Sequence, residues 1–184
     1  AAGGPLVVPD EYTVTLAVNG RALKKTVRVE PDPRAAVLAA DLTAQRDALL
    51  SLRELASRLN RTVDQEDDLI KQLTDLQVEM KDANPESFRT IQRALDDVRT
   101  VRGPLTRLVP TLGYRFGPGL REEIGSLTGG IGATAAAPTP AQLKRLKELQ
   151  AETDKAESAL KAILGTRVPE VNRVISGQPR IIVK

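Results

Sequence analysis

The chain contains no cysteine, no histidine and no tryptophan. Without cysteine there is no disulfide and no thiol chemistry, although this alone does not fix the compartment. Without histidine, a zinc site of the usual kind, a Ser-His-Asp or Cys-His arrangement and an imidazole proton shuttle are all excluded. The chain is therefore expected not to be an enzyme in its own right, and no catalytic residue, metal ligand, cofactor-binding residue or cofactor is assigned. Aromatics are nearly absent, the four being Tyr12, Tyr114, Phe88 and Phe116, which disfavours an aromatic-walled ligand pocket. Long apolar runs are missing as well, so no transmembrane segment is expected. The first residues, Ala1-Ala2-Gly3-Gly4-Pro5, have neither the charged nor the apolar region of a signal peptide and no initiator Met; a piece of a longer precursor is the expectation.

What is present suits a packed helical protein. The 184 residues are 41% apolar, and the apolar residues are nearly all Leu, Val, Ile and Ala, enough for a modest core. The 27 basic and 24 acidic residues are interspersed and leave a net charge of +3, so there is no basic arm and nucleic-acid binding is not expected.

Residues 12 to 18 (Tyr12-Thr13-Val14-Thr15-Leu16-Ala17-Val18) alternate apolar and polar, Asn19-Gly20 intervenes, and alternation resumes through Leu23, Val27 and Val29. Period two around Asn-Gly predicts a β-hairpin. Tyr12, Val14, Leu16 and Val18 share one face, as do Val27 and Val29. These six residues form the candidate interaction edge. Two strands alone are marginal in water, so either the rest of the chain covers that face or other strands do. Residues 1–34 are assigned to this hairpin, whose exit is punctuated by Pro31-Asp32-Pro33-Arg34.

Residues 35–176 are assigned to an antiparallel three-helix bundle. The first helix, about 41 to 83, carries a heptad stripe with two columns: Leu42, Leu49, Ala56, Val63, Ile70, Gln77, and Gln45, Leu52, Leu59, Glu66, Leu73, Met80. Leu55, Leu69 and Leu76 widen it. Such a helix is roughly 60 Å long. Asn84-Pro85 ends it and opens a second, with Phe88, Ile91, Leu95, Val98 and Val101 repeating every three or four residues up to Gly103-Pro104. The third begins at Thr139-Pro140, Thr139 as N-cap, and runs through Leu143, Leu146, Leu149, Thr153, Ala156, Leu160 and Ile163 to Gly165, with a separate short helix from Val168 to Ile175. Between them, 103–139 reads as an irregular crossover containing a helical pattern at Leu120 to Leu127. The tail 177–184, with Arg180-Ile181-Ile182-Val183-Lys184, has the composition of a third strand.

Possible sites have plainer readings. Glu66-Asp67-Asp68 fan out around a helix and are expected to form a solvated face rather than a metal site. Nothing brings Asp96-Asp97 and Glu122-Glu123 together as an acid pair. Residues 125 to 132 are rich in glycine but lack the Lys-Ser/Thr of a phosphate loop, and read as a helix C-cap and flexible loop. Arg89, Arg93, Arg99, Arg102, Arg107, Arg115 and Arg121 are expected to make surface ion pairs. Asn60-Arg61-Thr62 is a sequon placed in mid-helix.

Pro9-Asp10-Glu11-Tyr12-Thr13-Val14, Asn19-Gly20, Val27-Arg28-Val29 and Asp32-Pro33-Arg34 together resemble the end of the FlgD-like, immunoglobulin-type sandwich of large bacterial exported proteins with sortilin/VPS10-like, BNR-repeat β-propellers. Ala137-Pro138-Thr139-Pro140-Ala141-Gln142 and Val168-Pro169-Glu170-Val171-Asn172 are similar to the helical region that follows it. Asp10 stands where that family has glycine. The resemblance implies that the hairpin is the last two strands of a sandwich whose other strands lie elsewhere, and that the location is exported: periplasmic, outer-surface or extracellular. It carries no catalytic residue onto this chain. The expected function is a non-catalytic protein-interaction or assembly module. Its partner would be another protein, the upstream part of the same precursor, or a second copy. The alternative is the accessory end of a propeller hydrolase whose active site lies outside this chain.

Overall fold

The computed structural model describes residues 4–34, 37–81, 84–107, 117–175 and 181–183. The fold is mainly helical, with an N-terminal antiparallel hairpin of β1 (Asp10–Val18) and β2 (Arg21–Val29). Asn19 and Gly20 both have positive φ, 49° and 77°, the geometry of the two-residue turn that matches strand twist and that Asn-Gly tolerates best. The register pairs Val18 with Arg21 at the turn and Asp10 with Val29 at the open end.

Among the described residues four helices follow: α1 (Ala39–Met80), α2 (Pro85–Arg102), α3 (Leu120–Gly132) and α4 (Pro140–Val174). They make a three-column bundle. α2 runs back along the second half of α1, pairing Arg102 with Asp67 and Gln92 with Gln77. α3 runs back along its first half, with Arg121 on Asn60 and the Ile131 carbonyl on Gln45. α4 then runs alongside α1, Arg58 meeting Asp154 and Glu157. The middle column is thus α2 and α3 end to end, interrupted between residues 102 and 120. α3 lies inside the stretch 103–139 and carries the helical pattern of Leu120 to Leu127, so that stretch is not irregular throughout.

The helix ends follow local chemistry. The Asn84 side chain accepts from the Glu86 and Ser87 amides, with Pro85 in the first turn. Thr139 and Gln142 form a reciprocal capping box ahead of α4, satisfying donors that a helix start leaves free. At the start of α3, the Leu120 and Arg121 amides donate to the Pro104 and Leu105 carbonyls, and buried Gly119 approaches so closely that a Cβ there would stand 2.8 Å from the Arg107 nitrogen.

The core falls into two clusters. One joins Leu69, Leu73, Leu76 and Met80 to Ile91, Leu95 and Val98 and to Leu160, Ile163 and Val171. The other joins Ala48 to Val63 on α1 with Leu120, Ile124 and Ile131 on α3 and Leu146, Leu149 and Ala156 on α4.

Several expectations need correction. The buried seam of α1 is 48, 52, 55, 59, 62, 66, 69, 73, 76 and 80. The column of Leu42, Leu49 and Ala56 lies at its flank, because the wide stripe is centred on Leu55, Leu69 and Leu76. The glycines between 125 and 132 belong to α3 and do not form a flexible loop; Ile124 and Ile131 are buried about two helical turns apart and hold the segment between them. α4 passes through Gly165 and Pro169 to Val174 without a second helix starting. An interior proline costs about 3 kcal/mol, and burial of Val171 and Ile175 on the first cluster offsets it. Among the described residues of the tail, 181–183, none forms a strand with the hairpin. Ile181 is buried against the helices, and the Gln72 side-chain amide both donates to the Ile182 carbonyl and accepts from its N–H, at 2.9 and 3.1 Å. Gln72 takes the place a neighbouring strand would have. Residues 35, 36, 108–116, 176–180 and 184, including Arg115 and Arg180, lie outside the described residues.

Candidate interaction surface

Directly opposed residues in an antiparallel pair project to the same face. The register therefore places Tyr12 and Val27, Val14 and Lys25, Leu16 and Leu23, and Val18 and Arg21 on one face of the hairpin. Glu11, Thr13, Thr15, Lys24, Thr26 and Arg28 occupy the other. Apart from Lys25 and Arg21 the first face is apolar, and it is uncovered: Leu16 is 58% exposed, Leu23 71% and Val14 55%. Tyr12 and Val29, near the open end, are half-buried. All six residues of the expected edge thus come together on one side. Leu23, opposite Leu16, completes the surface.

Among the described residues no helix packs against either strand, and the two-stranded sheet leaves the outer backbone edge of each strand unpaired. Among the described residues the bundle approaches the hairpin at its root. There Tyr12 Oη donates to the Val8 carbonyl at 2.7 Å. Residues 4–9 and 29–32 form one wall of an open cavity of about 910 Å³, whose other wall is α1 and α3 with Leu42, Leu49, Leu52 and Ile124. The cavity faces are largely aliphatic, continuing the apolar character of the strand face onto the bundle.

The acidic cluster of α1 differs from its expected form. Asp67 and Asp68 are exposed, but Glu66 is fully buried, and neither of its carboxylate oxygens has a hydrogen-bond partner. It lies on the seam between Val63 of one cluster and Leu69 of the other, at the level where the middle column is interrupted. Burial pushes its carboxyl up to about 7; the Arg102 charge works against this and the Asp67 charge adds to it. Its heptad position had signalled burial, while its two acidic neighbours signalled solvent.

The remaining candidates are engaged in part by ion pairs and in part by neutral hydrogen bonds. Among the described residues the ion pair expected of the arginines is made by Arg102 but not by Arg93 or Arg121, whose bonds go to uncharged groups. Asp97 accepts from Arg167 Nε at 2.6 Å, and Asp96 accepts from Gln92. Glu122 accepts from the Arg107 amide, and Glu123 pairs with Arg145. The two acidic pairs thus serve four separate partners and are not brought together as an acid pair. Of the arginines, Arg102 pairs with Asp67, Arg121 bonds Asn60, and Arg93 reaches the Arg89 carbonyl and Thr90. The sequon is engaged within the bundle, with Asn60 held by Arg121 and Thr62 buried. Among the described residues no three acidic side chains converge as metal ligands, and no helix is long and apolar enough to cross a membrane. No protein-family model, curated protein or solved structure matches the chain.

Proposed function

We propose that this chain is a non-catalytic interaction or assembly module in which the hairpin is the docking element and the bundle a rigid support. The observation that carries this reading is the apolar face of Val14, Leu16, Val18, Leu23 and Val27, open to solvent between two unpaired strand edges and continued by half-buried Tyr12 and Val29. Burying a Val or Leu side chain is worth about 1.5 to 3 kcal/mol, so covering even four of them stabilises a complex substantially. Backbone groups on a free edge add strand pairing to that burial. The occupant that fits both features is β-structure: strands of a sandwich, presenting an apolar face of their own and an edge in register. The resemblance of residues 9 to 34 to the end of a FlgD-like sandwich supports such an occupant. It further suggests that the strands come from the upstream part of an exported bacterial precursor. The same resemblance supports a second reading, in which this is the accessory end of a propeller hydrolase.

The test is to purify the chain beside a Val14→Lys/Leu16→Lys variant and compare solution mass and binding of an apolar dye. The wild type is expected to self-associate or bind the dye, and the variant to do neither while keeping its helical content. A monomeric wild type whose dye binding equals that of the variant contradicts the docking role. A propeller repeat encoded immediately upstream would favour the second reading.

A further inference from the structure

The joint between the two halves of the bundle brings together three things: an interruption of the middle column, a division of the core, and a buried carboxyl on the continuous column facing that division. A polar group withdrawn from water without a partner destabilises the state that buries it, and a charged one does so far more. Neither oxygen of Glu66 is bonded. The nearest cation named by its electrostatics, Arg102, is committed elsewhere. Its Nε and Nη2 donate to the two Asp67 oxygens at 2.7 and 3.0 Å, and its Nη1 to Thr106 Oγ1. Closed packing at this level is therefore compatible with a neutral Glu66 and strained by an ionised one.

We propose that Glu66 is a proton-operated joint: protonated, it allows the α2 and α3 halves to close on α1; ionised, it admits water and loosens the last turn of α2 and the first turn of α3. Among the described residues the charged groups acting there are the following. From α2 comes Arg102 and from α1 come Asp67 and, through Arg102, Asp64. α3 and its approach carry Glu122, which is turned onto the Arg107 amide. α4 packs on α1 through Thr153, Ala156, Leu160 and Ile163, none ionisable, with its Asp154 and Glu157 held outward by Arg58. Ionising Glu66 leaves Arg102 as its available counter-charge, and reaching it requires Arg102 to leave Asp67 and Thr106, which ties the proton to the end of α2.

The tendency of the carboxyl to stay neutral up to about pH 7, against an ordinary 4.5, sets the size of the effect. Between pH 6 and pH 8.5 the opening equilibrium is expected to rise about tenfold. The experiment is hydrogen exchange by NMR on the whole chain at both pH values, corrected for intrinsic rates, reading the amides of Val98 to Arg102 and Leu120 to Ile124. Wild type should lose about tenfold protection there, while Glu66→Gln and Glu66→Leu lose none, and amides near Leu76 and Leu146 should not respond in any of the three. Equal pH response in wild type and both variants overturns the proposal. Should neither variant fold, the carboxyl carbon shift of Glu66 in the wild type decides: titration near 7 supports the joint, and titration near 4.5 overturns it.

Discussion

Arg102 on α2 grips both carboxylate oxygens of Asp67 on α1, while Glu66, the next residue, points into the core with no partner. One helix thus presents two adjacent acids to opposite environments. Asp67 ties two helices together at the surface, and Glu66 weakens the same level from within.

Glu66 sets a pH dependence of global stability whose sign follows from its raised carboxyl. Below about 4.5 the group is neutral in both folded and unfolded chains and has no effect. From 4.5 to about 7 the unfolded chain releases the proton and the folded chain keeps it, so stability falls as pH rises; above 7 the loss is complete. Its size is about 3 kcal/mol. Urea unfolding of Glu66→Leu should show a gain of that order at pH 8.5 and little change at pH 4, whereas a variant less stable than wild type at both would show that the carboxyl has an unseen stabilising role.

Truncation in either core cluster should be expensive. Leu59→Ala and Leu69→Ala remove side chains that are fully buried in different clusters, and each is expected to cost about 3 kcal/mol. Because the core is divided into two clusters, native-state exchange should locate the larger loss of protection in the half that carries the substitution. Uniform loss along α1 in both variants would show a single undivided core.

The capping box predicts a smaller, local effect. Thr139→Ala removes the acceptor for the Gln142 amide and should lower stability by about 1 kcal/mol, detected as a lower urea midpoint with an unchanged slope.

The hairpin should be energetically separate from the helices. Gly20 stands at φ 77°, where a Cβ is strained, so Gly20→Ala should loosen the strand amides while leaving the thermal unfolding of the helices within error. A fall in helical melting temperature would mean that the hairpin supports the bundle after all.

Much of this architecture was legible in the residues, and the failures have physical causes. Asn19-Gly20 fixed the hairpin register, and Asn84-Pro85 and Thr139-Pro140 marked two helix starts, because turn and cap chemistry is local. Glu66 was misplaced because a short acidic run and a heptad position disagreed, and burial was decided by partners distant in sequence. The helix through Gly125, Gly129 and Gly130 overrides a cost of about 1 kcal/mol per glycine through the burial of Ile124 and Ile131, which no local signal reports. Pro169 reads locally as a boundary for the same reason, since the burial of Val171 that carries α4 past it is a tertiary contact. The tail has strand composition, yet it pairs with the Gln72 side chain, a contact 110 residues away.

The docking role of the hairpin face is tested most directly by footprinting it in the protein as it occurs in its source cells. Radical oxidation of Tyr12, Val14, Leu16, Val18 and Leu23 should be several-fold lower in the native protein than in the purified chain, with the exposed Val78 of α1 oxidised equally in both. Equal oxidation of the strand residues in the two samples would show a face that nothing covers, and would contradict the account.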